Sequence, residues 1–167
     1  MFVAMGGPTG PAGLQGDKGD KGDKGDPGVS AINLFRVTRN TTYTITKNVW
    51  TKIPYNVEEF DSDSVYDNVT NFRFVAPSAG IYLFFATVAL AISAAAAMII
   101  SLYVNGVDKA EGNRAYGASG GCACAVSSLL YLNPGEYVEG WVFLSSTANG
   151  TIEANSVRSH FSGCRIA

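Results

Sequence analysis

The chain has 167 residues, with 12 Lys and Arg against 14 Asp and Glu and a single histidine. A net charge of −2 with no clustered basic face excludes nucleic-acid binding as its main task. Hydrophobic residues make up 47% and charged residues only 16%, which excludes disorder for most of the chain and points to surface hidden in an oligomer.

The chain opens on five apolar residues, Met1, Phe2, Val3, Ala4 and Met5. They lack the basic n-region and the apolar stretch of a secretory signal, so residues 1–6 read as an anchor segment. Glycine then recurs every third position, at Gly7, Gly10, Gly13, Gly16, Gly19, Gly22, Gly25 and Gly28. A triple helix demands this period because nothing larger than glycine fits at its crowded axis, whereas a flexible linker has no reason to keep it. Residues 7–30 are therefore expected to form a collagen-like stalk of three parallel chains, spanning about 70 Å at roughly 3 Å per residue. The repeated Lys-Gly-Asp steps from Lys18 to Asp26 place opposite charges on neighbouring chains, where each exposed pair contributes about 0–1 kcal/mol.

Residues 31–167 form the expected globular head. Short apolar or alternating runs follow one another at Ala31–Val37, Thr41–Thr46, Val49–Ile53, Phe72–Val75, Ile81–Leu90, Met98–Val104, Cys122–Leu132, Tyr137–Leu144, Thr151–Asn155 and His160–Ile166. Turn signals such as Pro77-Ser78-Ala79-Gly80, Asn105-Gly106 and Asn133-Pro134-Gly135 separate them. Short strands with no long helical period predict an all-β sandwich or jelly roll. The uncharged stretch from Ile81 to Ile100 meets the hydropathy of a membrane helix. Its β-branched and aromatic first half and the small Ala94–Ala97 run favour two buried strands joined through a loop at Ser93–Ala97. Tyr82 and Phe84 alternate with Leu83 and Phe85, so both faces of this strand are apolar. One face is expected in the sandwich and the other in a subunit interface.

The run from Phe74 to Phe84, with Ala76-Pro77, Gly80 and Tyr82 inside it, resembles the "F-x-A-P-x-x-G-x-Y-x-F" signature of C1q-like heads. Leu102-Tyr103-Val104-Asn105-Gly106 is similar to the hairpin that follows it, and Leu129–Val142, with Gly135 ahead of Tyr137-Val138, to the next segment. Glu136 stands at that segment's acidic position, and Phe161-Ser162-Gly163 resembles the family's closing strand. Thr70-Asn71 replaces the family's Thr-Gly, with Phe72 as an additional aromatic. The resemblance implies a ten-stranded jelly roll, similar to tumour necrosis factor, packed as a homotrimer. Phe74, Gly80, Tyr82, Phe84, Gly135, Phe161 and Gly163 are its expected core and trimer positions.

Residues able to carry chemistry are few. His160 is the only histidine, and its place beside the closing strand suggests a surface or interface role rather than catalysis. Cys122 and Cys124 fall on one face of a strand, consistent with buried thiols, with a disulfide, or with a metal site completed by Cys164. Glu58, Glu59, Asp61, Asp63 and Asp67 crowd one segment, expected to be a loop. Asp61, Asp63 and Asp67 are its candidate Ca²⁺ ligands, against the alternative of a solvated acidic loop. No catalytic residue and no cofactor beyond a structural Ca²⁺ is expected. The sequons at Asn40, Asn68 and Asn149 matter only for a secreted product.

A collagen-stalked trimer without a recognisable export signal reads as a virion-associated fibre or capsid-decoration protein of a phage. Its N-terminus is then expected to bind a capsid or tail protein, while the head engages a host-surface or environmental glycan or protein. The alternative is a secreted or cell-surface C1q-like recognition protein of a bacterium or eukaryote.

Overall fold

A computed structural model describes residues 1, 2, 6, 7, 10 and 33–167. Most of the Gly-X-Y segment and Val3–Met5 lie outside the described residues. The head contains β1 (Phe35–Thr38), β2 (Tyr43–Ile45), β3 (Thr51–Lys52), β4 (Val57–Asp61), β5 (Tyr66–Asp67), β6 (Arg73–Val75), β7 (Gly80–Ile92), β8 (Ala96–Val104), β9 (Val107–Gly117), β10 (Gly120–Leu132), β11 (Tyr137–Ser146), β12 (Gly150–Ile152) and β13 (His160–Arg165). No helix occurs among the described residues, and none is long and apolar enough to cross a membrane. The stretch that carried membrane-like hydropathy is β7 and β8, as the two-strand reading expected. Ala96 and Ala97 belong to β8, so the connection is shorter than the expected loop.

The strands form a seven-stranded sheet and a six-stranded sheet, the two layers of a jelly roll. In the first, β7 is the hub. It pairs with β10 along its whole length on one edge, and with β13 and then β12 on the other. β1 and β4 extend the sheet beyond β13, and β2 extends it beyond β12. In the second, β11 is flanked by β8 on one side and by β6 and β3 on the other, while β9 forms an edge and β5 lies outside β6. The β8–β9 hairpin turns at Asn105 and Gly106, both with positive φ (51° and 79°), the backbone that Asn-Gly favours in a two-residue hairpin turn.

The core lies between the two sheets and is aromatic at its centre. Phe35 stacks on Phe74 at 5.2 Å and meets Phe161 edge-on at 5.1 Å, while Phe74 meets Phe84 at 5.1 Å and Tyr82 at 5.3 Å. Phe74, Tyr82, Phe84 and Phe161 are all fully buried. Each such side chain contributes about 1.5–3 kcal/mol through removal from water, and the paired rings add about 0.5–1.5 kcal/mol. Gly163 makes this packing possible, because a Cβ there would lie 2.6 Å from Phe84 and 2.8 Å from Phe35. Gly80 opens β7 against the C-terminal Ala167. Gly135 turns the chain into β11 at φ +84°, beside Glu136, whose carboxylate accepts from Asn105 Nδ2 and Asn133 N at 2.8 Å each. That carboxylate ties two adjacent turns together.

Thirteen strands stand where ten apolar runs were expected, and the additions have a common cause. β4, β5 and β9 are charged or short, and β4 and β9 are mostly exposed, so neither presents a continuous apolar signal. The acidic segment is thus not one loop. Glu58 and Glu59 lie on β4, Asp61 ends it, and Asp67 ends β5.

Asp61 and Asp67 act as local backbone anchors. Asp61 accepts from the N–H groups of Val65 at 3.0 Å and Tyr66 at 2.8 Å. Asp67 accepts from Thr70 at 2.8 Å, Val69 at 3.0 Å and Asn71 at 3.1 Å. The Thr70 and Val69 N–H groups, with help from Asn71, lower the Asp67 carboxyl from 3.8 to about 2. A depressed carboxyl pKa contributes stability that is present above pH 3.8 and lost as pH falls towards 2. Asp67→Ala should therefore lower the thermal midpoint at neutral pH and flatten its fall across that acid window. A thermal-midpoint profile as steep as the parent's over the same pH range would contradict this.

Candidate functional site

The outer face of the seven-stranded sheet carries the most distinctive surface of the head. On β7 the side chains alternate, with Tyr82, Phe84 and Ala86 in the core and Ile81, Leu83 and Phe85 facing out at 39–41% exposure. The register continues this row across the sheet. Leu83 stands between Cys164 on β13 and Leu129 on β10, and Ile81 stands opposite Tyr131. Leu129 and Tyr131 are 59% and 66% exposed, while Leu34, Phe60 and Ile166 border the same area and are also exposed. A shallow groove of about 240 Å³ runs through it between Phe60, Leu83, Phe85 and Cys164. A contiguous apolar sheet face of this kind marks an interaction surface on a soluble protein.

Polar groups border the apolar area. Arg36 Nε donates to Glu59 Oε2 at 2.6 Å, joining β1 to β4. His160 lies beside Phe85, with ring centres 5.5 Å apart, and its Nδ1 is 3.0 Å from Thr87 Oγ1. Burial, reinforced by the Arg36 charge, lowers its pKa. The histidine is thus a half-buried member of the outer face, consistent with an interface position. Its side-chain partner among the described residues is the Thr87 hydroxyl.

The three cysteines divide between the two sides of the sheet. Cys122 and Cys124 point into the core from β10, and burial raises both thiols, Cys124 to about 12. Cys164 belongs to the outward set of β13 opposite Leu83, so it does not join the other two. All three are free thiols. Among the described residues no group of three His, Cys, Asp or Glu side chains converges as a metal site. The expected Ca²⁺ ligands are turned to other work. Asp61 and Asp67 accept backbone N–H groups, and Asp63 accepts from Asn33 Nδ2 at 3.0 Å and from the Ser62 hydroxyl at 2.9 Å.

The expected core positions Phe74, Tyr82, Phe84, Phe161 and Gly163 all meet in one aromatic cluster. Sequence reasoning missed Leu34, Phe60, Leu129, Tyr131 and Ile166 as parts of the outer face. Only the register between strands distant in sequence brings them beside Leu83. Of the residues expected to form an anchor, Met1 and Phe2 are exposed, and Val3, Ala4 and Met5 lie outside the described residues.

Comparison with known proteins agrees with this architecture. No curated protein sequence matches the chain significantly. The globular domain of zebrafish complement 1qA superposes with a TM-score of 0.54 at 15% identity, over 81% of this chain and 98% of that one. Eiger TNF from S. frugiperda gives a TM-score of 0.56 at 11% identity, over 83% and 94% of the two chains. Murine APRIL at pH 8.5 gives 0.56 at 10% identity, over 80% and 98%. At these identities the likeness speaks for the fold, a C1q/TNF-like jelly roll. The C1q-domain family model matches residues 34–165, the whole of the folded head, and the chain belongs to that family.

Proposed function

We propose that this protein is a non-enzymatic, stalk-mounted homotrimer whose heads display recognition surfaces away from an anchored N-terminus. Domains of the C1q and TNF-like type typically form trimers and bind ligands. The observation that carries the reading here is the apolar outer face of β7 and β10. Ile81, Leu83, Phe85, Leu129 and Tyr131 form one patch on a rigid sheet, and two further copies of the head are the occupants that would bury it. The Gly-X-Y repeat ahead of the head supports the same stoichiometry, since a collagen helix needs three chains. Three identical heads on one stalk raise avidity for a repeated ligand even where each contact is weak.

The setting proposed is an extracellular or particle surface. A virion fibre or decoration protein, held to a capsid or tail protein by Met1–Met5, is the specific form expected from sequence. A secreted or cell-surface recognition protein is the alternative.

Leu83→Asp places a charge at the centre of the apolar patch while leaving the opposite, core-facing side of β7 untouched. It should convert the trimer to folded monomers in sedimentation analysis; a parent protein that already sediments as a monomer would overturn the assembly. Gly19→Ala should abolish the triple-helix circular-dichroism signal while the heads remain trimeric, and an unchanged signal would favour a flexible linker. Deleting Met1–Met5 should leave trimers intact but absent from purified virions. Recovery of the full-length protein only from the medium would favour the secreted alternative.

A further inference from the structure

A second recessed surface lies away from the apolar face and shares no lining residue with the groove there. It is a cleft of about 490 Å³ between the β1–β2 connection, β3 and the loop leading into β6, within the roughly 300–1,000 Å³ of small-molecule sites. Two cations line it, Arg39 and Lys52, and no acidic residue does. Lys52 is already neutralised, because its Nζ donates to the buried Glu139 at 2.9 Å. Arg39 is different. Only 6% exposed, it has no carboxylate partner among the described residues.

The hydrogen bonds of Arg39 show what is missing. Nη1 donates to Pro54 O and to Asn56 Oδ1, and Nη2 donates to Thr42 O, all neutral acceptors. Nε is buried and has no partner among the described residues. Nε and Nη2 form one edge of the guanidinium fork that grips a carboxylate through two parallel bonds. A buried cation without an anion is costly, and burial accordingly lowers the Arg39 pKa. The Tyr43 ring packs against the guanidinium, its centre 5.1 Å from the guanidinium carbon, and is 39% exposed.

The remaining lining defines the rest of the ligand. Thr41, Thr51 and Thr70 bring hydroxyl-bearing side chains, while Tyr43 and Phe72 bring aromatic rings. Hydroxyl and amide groups suit a polyhydroxylated ring, and aromatic faces suit its C–H surface. Phe72 is held at φ +47°, a backbone that a bulky side chain adopts only when its surroundings impose it.

We infer that this cleft binds an acidic saccharide of the uronic-acid class, with its carboxylate paired to the Arg39 guanidinium and its ring against Tyr43 and Phe72. The inference rests on the recognition reading above, and it does not require the trimer. Ligand-observed NMR on the full chain with glucuronate, glucose and acetate tests it, with sedimentation of the same samples to separate a failure of assembly from a failure of binding. Glucuronate should bind, glucose and acetate should not, and the signal should weaken as NaCl is raised to about 0.5 M.

Arg39→Met should weaken glucuronate binding about tenfold, the loss expected for a charge-assisted hydrogen-bonded pair. Phe72→Asn should weaken it about fivefold through loss of the ring. Because Asn tolerates positive φ, that second variant keeps the fold and guards against misreading an unfolded Arg39→Met protein. Equal binding of glucose or acetate, or glucuronate binding unchanged in the folded Phe72→Asn protein, overturns the assignment.

Discussion

The head is organised by one strand that is apolar on both sides. Gly80–Ile92 is the longest uninterrupted run of the first sheet together with β10, and every other strand of that sheet attaches to it directly, through one of its partners or, for β4, through β1 and β13. Its inward residues Tyr82 and Phe84 seed the aromatic core, and its outward residues Ile81, Leu83 and Phe85 seed the surface patch. A strand in a sheet with one solvated face would alternate apolar with polar residues. Here that alternation is absent, so folding one chain leaves apolar area uncovered. The same strand thus sets both the tertiary packing and the apolar patch left on the outer face.

The core around this strand leaves little freedom. Phe35, Phe74, Phe84 and Phe161 come from four different strands, and their rings touch at separations of 5.1–6.3 Å. Two of them crowd Gly163, where even a methyl group would collide. A close-packed interior of this kind resists changes of a single methylene and transmits strain rather than absorbing it. Such packing gives loops and clefts a scaffold on which they keep their geometry.

Polar side chains finish what the aromatics begin. Asp61 and Asp67 gather the N–H groups of the segments around β5, and Glu136 joins the turn before β11 to the turn between β8 and β9. Asp61 and Asp67 read from sequence as metal ligands or a solvated acidic run, and in the fold they serve the backbone. Glu139 goes further, being buried between Lys52 and Trp141, whose Nε1 donates to it at 3.0 Å. With Lys52 paired to it, Arg39 is the cation of the neighbouring cleft that has no carboxylate partner among the described residues.

The linear order of residues was enough to determine the strict glycine period, the all-β class and the two-faced character of β7, because each is a local periodicity. It also carried the family's signature residues, which coincide with the aromatic core. The charged strands β4 and β9 escaped it, since an exposed edge strand has no apolar pattern to read. Tertiary structure alone decided which distant residues share a surface. Leu129 and Cys164 flank Leu83 only through cross-strand register, and Cys164 is separated from Cys122 and Cys124 because pleating turns alternate side chains to opposite faces. Arg39 likewise looks like an ordinary surface cation at the end of an apolar run. Its burial without a carboxylate partner among the described residues arises where β1, β3 and the loop before β6 close around it, because burial and ion pairing depend on neighbours that the linear sequence does not order.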